Sequence, residues 1–313
     1  MGHSAAAAPR RHVISLNDLD DAALRLIVER GAAHARGEVA AGSLDGLVIG
    51  TYFRKTSTRT RTAFTAAALR LGARTIAYGP DDLQLNTGET MADTGRVLAR
   101  MLDGLVARTA GPIAEFEALA AQDRMAVVNA MSAAEHPTQA LADLTTLALH
   151  FGDLSGLRVL YLGEGNNTAA ALALALPRFA GTTLDLRTPA GYGLSPEVLE
   201  RAEKYAAGAD AIVTERHDML DLPPADVVYT TRWQTTGTTK NDPSWRDLFR
   251  PFQVDQSLMD ACPTAVFLHD LPAHRGEEVT AAVLDGPRSI AFDQAENKMH
   301  SAAAVLEWCL GRL

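Results

Sequence analysis

Short apolar runs alternate with longer amphipathic segments along almost the whole chain, and this alternation restricts the possible folds most. Helical spacing near 3.6 recurs between the runs, for example over residues 58–71, where Gly72 ends the pattern. Alternation of this kind indicates parallel sheets covered by helices. Strands are predicted at residues 47–50, 74–78, 104–108, 125–129, 158–163, 182–187, 211–215, 226–230 and 265–269.

Chain length and one polar break predict two domains. A chain of 313 residues is long for a single domain. The break at residues 151–156 follows a long predicted helix, Pro137 to His150. We therefore predict an α/β protein of two doubly wound parallel-sheet domains, joined by long helices. Ligands of such folds bind beyond the carboxyl ends of strands, so the residues that follow each strand are the first candidates for a binding site.

Charge and cysteine content exclude several classes of protein. The net charge of −9 argues against binding to nucleic acid or to an anionic membrane. No run approaches the roughly 20 apolar residues of a membrane span, and none resembles a signal peptide. The two cysteines, Cys262 and Cys309, are too few for a disulfide framework. A cytoplasmic protein with reduced thiols is expected.

The basic and hydroxyl-rich stretch Ser57-Thr58-Arg59-Thr60-Arg61 opens a predicted helix just after a strand. Backbone N–H groups at a helix start, together with hydroxyls and guanidiniums, suit a phosphate dianion. An ordinary capped helix with solvated arginines is an alternative interpretation of the same five residues. The stretch alone leaves both interpretations open.

Three other residues at element ends could face a small ligand. His136 and Gln139 open a helix three positions apart, so a neutral imidazole could donate to a carbonyl oxygen while the amide binds an amide. A simple helix cap fits equally well. Arg108 ends a strand and could clamp the same ligand, or it could be an ordinary surface residue.

Two further strand ends carry polar residues. "LGEGNNT" fails the dinucleotide fingerprint, because Thr168 stands where the third glycine belongs. Asn166 and Asn167 instead suit the carboxylate or amide of an amino acid. In "HDLPAHRGEEVT", Asp270 could hold an ammonium group or be a solvated turn residue. Residues 275–278 could begin a helix.

Taken together, these stretches resemble the aspartate/ornithine carbamoyltransferase superfamily over nearly the whole chain, and its ornithine branch more closely. The matching segments occur in the family's order: "SLNDLD", "STRTR", "GETMADTGRVLARM", "EHPTQALADL", "GEGNN", "DVVYT", "HDLPAHRGEEVT" and "AENKMH". The resemblance implies transfer of a carbamoyl group from carbamoyl phosphate to the amine of an amino acid, with release of phosphate. It implies no metal and no organic cofactor.

The resemblance also implies domain roles and an assembly. Residues 1–150 would bind carbamoyl phosphate, residues 151–290 would bind the acceptor, and a helix in 291–313 would pack back on the first domain. The resemblance implies an active site in the cleft between the two domains. Family members are trimers or multiples of trimers with shared active sites. Gln84 would reach into the neighbouring subunit's site.

Individual roles follow from the matching motifs. Catalytic roles would fall to Arg59, Thr60, Arg108 and His136. Carbamoyl phosphate would be bound by Ser57, Thr58, Arg59, Thr60, Gln84, Arg108, His136, Gln139, the backbone carbonyl of Leu271, and Lys298. The acceptor would be bound by Asn166, Asn167, Thr231, Arg232, Gln234, Thr235, Thr236 and Asp270.

The acceptor motifs depart from the ornithine pattern. Thr231 replaces an Asp, Thr235-Thr236 replaces Ser-Met, and Asp270 replaces a Cys. "TRWQ" resembles the aspartate branch, where the Arg and Gln hold a carboxylate. Lys298 replaces an Arg, and the two are not equivalent.

These departures lead to a hypothesis about the acceptor. We expect a diamino acid such as 2,3-diaminopropionate, used in specialised biosynthesis. One alternative is an ornithine carbamoyltransferase of arginine synthesis. Another is a catalytically silent family member that acts as a binding protein.

Overall fold

The computed structural model describes residues 10–235 and 238–313. The described residues form two compact units: residues 10–133 together with 298–313, and residues 134–297 apart from 236 and 237. All nine predicted strands are present. They are β1 (Val48–Phe53), β2 (Arg74–Tyr78), β3 (Gly104–Arg108), β4 (Ala126–Asn129), β5 (Arg158–Leu162), β6 (Thr183–Arg187), β7 (Ile212–Arg216), β8 (Val227–Thr230) and β9 (Val266–His269).

Helices connect successive strands except between β7 and β8. They are α1 (Asp21–Ala35), α2 (Arg59–Arg70), α3 (Met91–Leu98), α4 (Ala114–Ala120), α5 (Pro137–Phe151), α6 (Asn167–Ala175), α7 (Pro196–Gly208), α8 (Trp245–Phe249), α9 (Gln256–Ala261), α10 (Ala281–Leu284) and α11 (Ala291–Cys309). Ser195 caps α7 by accepting from the Val198 N–H, as its place before Pro196 predicts.

Each unit contains one parallel sheet. The strand order is β2-β1-β3-β4 in the first and β7-β6-β5-β8-β9 in the second, and the strand pairs are parallel. The prediction of two parallel-sheet α/β units is confirmed. The direction of winding reverses between β1 and β3, and again between β5 and β8. Polar groups of a doubly wound fold meet a ligand at such reversals, beyond the strand ends.

Strand β1 is longer than predicted. The sequence placed a strand at 47–50, but the strand continues through Tyr52 and Phe53. Both aromatic side chains are buried, and β1 pairs with β2 on one side and β3 on the other. Aromatic residues suit a strand that is buried in this way. The loop that leads to the candidate phosphate-binding segment, residues 57–61, therefore begins only after Phe53.

A second local expectation is wrong. Residues 275–279 form a turn with a bridge between Arg275 and Val279, and the next helix begins at Ala281. The backbone N–H of His274 donates to the Glu278 carboxylate. Glu278 is thus buried at a turn and does not stabilise a helix start.

The last helix is tied to the first unit by an ion pair whose carboxylate is fully buried and whose arginine is partly exposed. Glu307 on α11 accepts two hydrogen bonds from Arg30, at 2.7 and 3.0 Å, and lies 2.9 Å from His34 Nε2. Burial opposes the charge of Glu307, but the bonds from His34 and Arg30 outweigh it and lower the pKa to about 2. This anion therefore fixes α11 against α1.

Both cysteines lie in the interior of the fold. Cys262 and Cys309 are both buried and free, and burial raises the pKa of the Cys309 thiol. Among the residues that the structure describes, none of the helices has the length and apolar run needed to cross a membrane.

Candidate functional site

The first cluster of site residues lies where β1 leads into α2. Thr58 occupies the N-cap position in a helical conformation, and its side chain makes no capping hydrogen bond. The first-turn N–H groups of α2 do not donate to that hydroxyl, and they point outward at the positive end of the helix. Thr60 in this turn is 3% exposed, whereas Ser57 and Arg59 are half-buried. This helix start can bind a phosphate dianion.

Arg108 joins the same cluster from the neighbouring strand. It ends β3, and the parallel register places it opposite Phe53 of β1. Its Nη1 donates to Thr60 Oγ1 at 3.5 Å, a long hydrogen bond. A guanidinium presents several donors in a fixed plane, so Arg108 can bind more than one oxygen of a ligand. Arg108 and Thr60 thus meet at the β1–β3 reversal.

Two other residues of the first unit lie on different elements. Gln84 begins a short 3-10 turn, Gln84–Thr87, and is exposed. The Thr87 hydroxyl lies 3.1 Å from Gln84 Oε1. Lys298 lies on α11 and is buried. Their roles in binding stay predictions.

The second cluster forms where β5 leads into α6. Asn166 caps α6, because its Oδ1 accepts from the N–H groups of Thr168 (2.9 Å) and Ala169 (3.1 Å). Its amide Nδ2 donates to Thr231 Oγ1 at 3.0 Å. Thr231 directly follows β8, the neighbour of β5. The reversal between these strands therefore brings Asn166 and Thr231 into contact.

A buried tyrosine determines how Thr231 uses its hydroxyl. Tyr161 donates to the Glu164 carbonyl at 2.7 Å and lies 2.9 Å from Thr231 Oγ1. Burial raises its pKa well above the ordinary value, and the nearby Asp270 carboxylate adds to the rise. The phenol therefore keeps its single proton, which goes to Glu164. Thr231 must then donate to Tyr161 while accepting from Asn166.

Asp270 reaches the same cluster from the end of β9. Thr168 Oγ1 donates to Asp270 Oδ2 at 3.1 Å. Thr168 is itself held by the Asn166 cap, so Asp270 lies close to the start of α6. The carboxylate is half-buried and can receive an ammonium group. The cluster thus has an anion from Asp270 but none from Thr231.

The loop that carries Asp270 is held by His269. The N–H of Leu271 donates to His269 Nδ1 at 2.8 Å, so the ring proton is assigned to Nε2, which donates to Glu278 Oε1 at 3.1 Å. His269 Nδ1 is therefore an acceptor, and its 3.5 Å approach to Asp270 is not an ion pair. Leu271 has φ of 51°, which is costly for a bulky side chain and persists only where surrounding contacts impose it.

The start of α5 holds the other two ligand candidates of the second unit. His136 is the N-cap residue, is buried, and donates its backbone N–H to the Asn167 carbonyl at 3.0 Å. Gln139 Nε2 donates to Asp143 Oδ1 at 2.7 Å. This bond orients the Gln139 amide, so its oxygen is the group that can accept from the amide of a ligand.

The residues after β8 are only partly described. Arg232 is half-buried, and its Nε is buried without a hydrogen-bond partner among the described residues. Gln234 donates to the Thr238 carbonyl at 2.7 Å, and Thr235 donates to Glu164 Oε2 at 3.2 Å. The predicted residue Thr236 lies outside the described residues. Arg232 is therefore the cation of this segment that most needs an anionic partner.

Sequence reasoning missed three residues that support these side chains: Asp143, Glu164 and Lys240. Asp143 could have been found, since it lies four positions after Gln139 on the predicted helix. Glu164 lies inside the quoted "GEGNN". Nothing local marks Lys240, which forms an ion pair with Glu164 across 76 positions.

Within residues 10–235 and 238–313, one group of side chains has the spacing to hold a metal. Ligand atoms of His274, Glu277 and Glu278 lie within 4.8 Å of one another. Glu277 lies 3.3 Å from Arg246 Nε, and Glu278 accepts from His269 and from the His274 N–H. These carboxylates already have protein partners, so we assign no metal to them.

Comparison with known proteins agrees with the two-unit architecture. The family model described as "Aspartate/ornithine carbamoyltransferase, carbamoyl-P binding domain" matches residues 11–148. The companion model, "Asp/Orn binding domain", matches residues 155–309.

Individual relatives agree with both models. An ornithine carbamoyltransferase of Gloeobacter violaceus is 39% identical over 96% of each chain. An anabolic ornithine carbamoyltransferase of Pyrococcus furiosus is 41% identical, over 86% of this chain and 85% of its own. The solved structure of a Pyrococcus furiosus ornithine carbamoyltransferase superposes with a TM-score of 0.91 at 36% identity, over 99% of this chain and 100% of that one.

Proposed function

The chain belongs to the aspartate/ornithine carbamoyltransferase family, and from that premise we propose that it carbamoylates a diamino acid, with ornithine as the first candidate acceptor. The carbamoyltransferase resemblance seen in the sequence is confirmed by the two family models. The names of relatives about 40% identical support ornithine over the shorter 2,3-diaminopropionate. The observation that carries the proposal is the pair of strand-end clusters, one suited to phosphate and one to an amino acid.

The donor is assigned to the residues around α2. Ser57, Thr58, Arg59 and Thr60 bind the phosphate of carbamoyl phosphate at the start of the helix. Arg108, which meets Thr60 at 3.5 Å, binds both the phosphate and the carbonyl oxygen. Lys298 is proposed as a further cation for this ligand.

The carbamoyl group is assigned to residues of the second unit. His136 donates to the carbonyl oxygen, and the Gln139 oxygen and the Leu271 carbonyl accept from the carbamoyl NH₂. In the reaction, the amine nitrogen forms a bond to the carbonyl carbon and the bond from that carbon to the phosphate oxygen breaks. The departing phosphate takes the amine proton. Donors aimed at the developing oxyanion typically contribute several kcal/mol of barrier lowering.

The acceptor is assigned to the β5–α6 cluster and the segment after β8. Asp270 holds the ammonium that does not react, and Arg232, whose Nε has no hydrogen-bond partner among the described residues, holds the carboxylate. Asn166 and Thr231 shape the pocket, since their polar groups bind each other. Asn167, Gln234, Thr235 and Thr236 are proposed as further acceptor contacts.

A shorter diamino acid is the second candidate, because one observation favours it. The anion of the cluster is Asp270, bound to Thr168, whereas position 231 carries a hydroxyl engaged by Tyr161 and Asn166. Because the carboxylate is at position 270 and not at position 231, the ammonium site can suit an acceptor of different length, such as 2,3-diaminopropionate in specialised biosynthesis.

A panel of acceptors distinguishes these candidates. Purified protein is given carbamoyl phosphate with ornithine, 2,4-diaminobutyrate, 2,3-diaminopropionate, lysine or aspartate, and phosphate release is measured. We expect the highest kcat/KM with ornithine. A clear preference for 2,3-diaminopropionate would establish the second candidate. No turnover with any amine would reject the enzyme and favour a silent binding protein.

We also propose assembly as a homotrimer in which Gln84 completes a neighbour's site. Its exposure in the Gln84–Thr87 turn supports this role. Light scattering should give three times the 33.4 kDa chain mass or a multiple of that value. An active monomer would contradict the proposal.

A further inference from the structure

Lys240 is buried in an aromatic cluster beside the acceptor residues. Its side chain is 5% exposed, and its Nζ lies 4.8, 5.1 and 5.3 Å from the ring centroids of Tyr192, Phe249 and Trp245. The ammonium also forms an ion pair with Glu164 Oε1. Cation–π contacts and a paired carboxylate compensate a buried ammonium for the loss of its water contacts.

Glu164 connects this lysine to the acceptor cluster. It lies in the turn between β5 and α6, and its Oε2 accepts from Thr235 Oγ1 at 3.2 Å. Its backbone carbonyl accepts a hydrogen bond from the Tyr161 hydroxyl at 2.7 Å. The same hydroxyl accepts a hydrogen bond from Thr231. Two positions later, Asn166 caps α6. Glu164 therefore contacts Thr235 through its carboxylate, and through its backbone carbonyl it contacts Tyr161, the partner of Thr231.

Stability does not explain a charge at this place. The rings of Tyr192, Trp233, Trp245 and Phe249 already form a hydrophobic cluster. Replacing a buried ion pair by apolar or neutral groups of similar volume is often neutral or stabilising. A lysine at the centre of this cluster therefore has another use, which is to hold and neutralise the Glu164 carboxylate.

We propose that Glu164 and Lys240 are a positioning pair that determines acceptor specificity. Lys240 fixes Glu164 so that it orients Thr235 and the turn before Asn166. By neutralising Glu164, Lys240 also leaves Asp270 as the carboxylate that binds the acceptor's ammonium. The inference rests on the proposed function, since the pair acts on the acceptor assigned to that cluster.

The test compares variants of both partners. Lys240→Met keeps the apolar stem, Glu164→Gln keeps the shape, and the double variant removes both charges. Each single variant should raise the KM for the acceptor about tenfold while the KM for carbamoyl phosphate stays unchanged. The double variant should cost no more than either single one, because coupled residues are not additive. Lys240→Arg should restore part of the acceptor affinity.

A surface pair of the same chemistry serves as the control. Lys204 and Glu200 form an exposed ion pair at 2.6 Å on α7, and Lys204→Met should leave both KM values unchanged. The double variant of the buried pair, Glu164→Gln with Lys240→Met, should unfold in urea at the wild-type midpoint. An unchanged acceptor KM in Lys240→Met, or an equal rise in both KM values, would overturn the pair's role.

A binding measurement separates this inference from the proposed reaction. Norvaline has the carbon skeleton of ornithine without the reacting amine, and its binding in the presence of inorganic phosphate can be followed by the fluorescence of Trp233 and Trp245. We expect binding to wild type and about tenfold weaker binding to Lys240→Met. If wild type binds norvaline but transfers no carbamoyl group, the proposed function fails and the pair stands. Equal binding to both proteins, or none to wild type, would overturn the pair.

Discussion

Neutralising Asp143 should weaken both the fold and the donor site. This carboxylate is fully buried and accepts from Gln139 Nε2 at 2.7 Å, Gln294 Nε2 at 2.7 Å and the Tyr229 hydroxyl at 2.9 Å. Burial together with the Asp143 charge raises the pKa of Tyr229 well above its ordinary value, so the phenol stays a donor. Three donors thus converge on one anion.

The cost of Asp143→Asn follows from these three bonds. A hydrogen bond to a charged group contributes about 1.5–3 kcal/mol and a neutral one about 1 kcal/mol. Weakening three of them, with a new N–H₂ facing Tyr229, should lower the free energy of unfolding by about 2–3 kcal/mol. Because Gln139 loses its charged anchor, kcat/KM for carbamoyl phosphate should fall about tenfold or more, and tenfold corresponds to about 1.4 kcal/mol.

Urea unfolding and steady-state kinetics measure the two effects. Thr145→Val is the matched control, because Thr145 is fully buried on the same helix and its hydroxyl donates to the Leu141 carbonyl within α5. It should cost about 1 kcal/mol or less and leave the kinetics unchanged. An Asp143→Asn protein with wild-type stability and kcat/KM would refute the reasoning.

Three further perturbations have expected outcomes. Glu307→Gln removes a carboxylate whose pKa is lowered from 4.5 to about 2 by folding. The variant should lose about 3 kcal/mol of unfolding free energy at pH 7 and only about 1–2 kcal/mol near pH 3, because this stability is present above pH 4.5 and is lost as pH falls through 2. Equal losses in urea unfolding at the two pH values would contradict this. Arg108→Lys replaces a planar fork by a point charge, so the KM for carbamoyl phosphate should rise at least several-fold; unchanged kinetics would argue against its assigned role. Gly165→Ala would place a Cβ 2.4 Å from the backbone carbonyl carbon of Gly193, so the turn must shift. We expect a loss of about 1–3 kcal/mol of stability and a higher KM for the acceptor. Wild-type values in thermal unfolding and kinetics would rule out such a shift.

The sequence predicted the elements that position the candidate site because strand ends carry a local signal. Apolar runs located all nine strands, and in a parallel sheet the residues after those strands gather at one edge. Thr60, Arg108 and Asn166 could therefore be selected from the sequence alone. The length of β1 was underestimated because Tyr52 and Phe53 precede basic residues that resemble a loop.

Contacts between distant parts of the chain could not be predicted. Thr168 and Asp270 are 102 positions apart, and Glu164 and Lys240 are 76 apart, so no periodic pattern records them. Thr231 illustrates the consequence. Its sequence position suggests an acceptor contact, but its hydroxyl is engaged by Tyr161 and Asn166, and only packing shows this.

Carbamoyl transfer is tested most directly by following both products of one reaction. Isotope-labelled carbamoyl phosphate and ornithine are incubated with the protein, and phosphate and the ureido product are quantified after subtraction of the protein-free control. We predict equal amounts of the two products from wild type and neither from Arg59→Ala. Phosphate release without a ureido product from any diamino acid, or full activity of Arg59→Ala, would contradict carbamoyl transfer at this site.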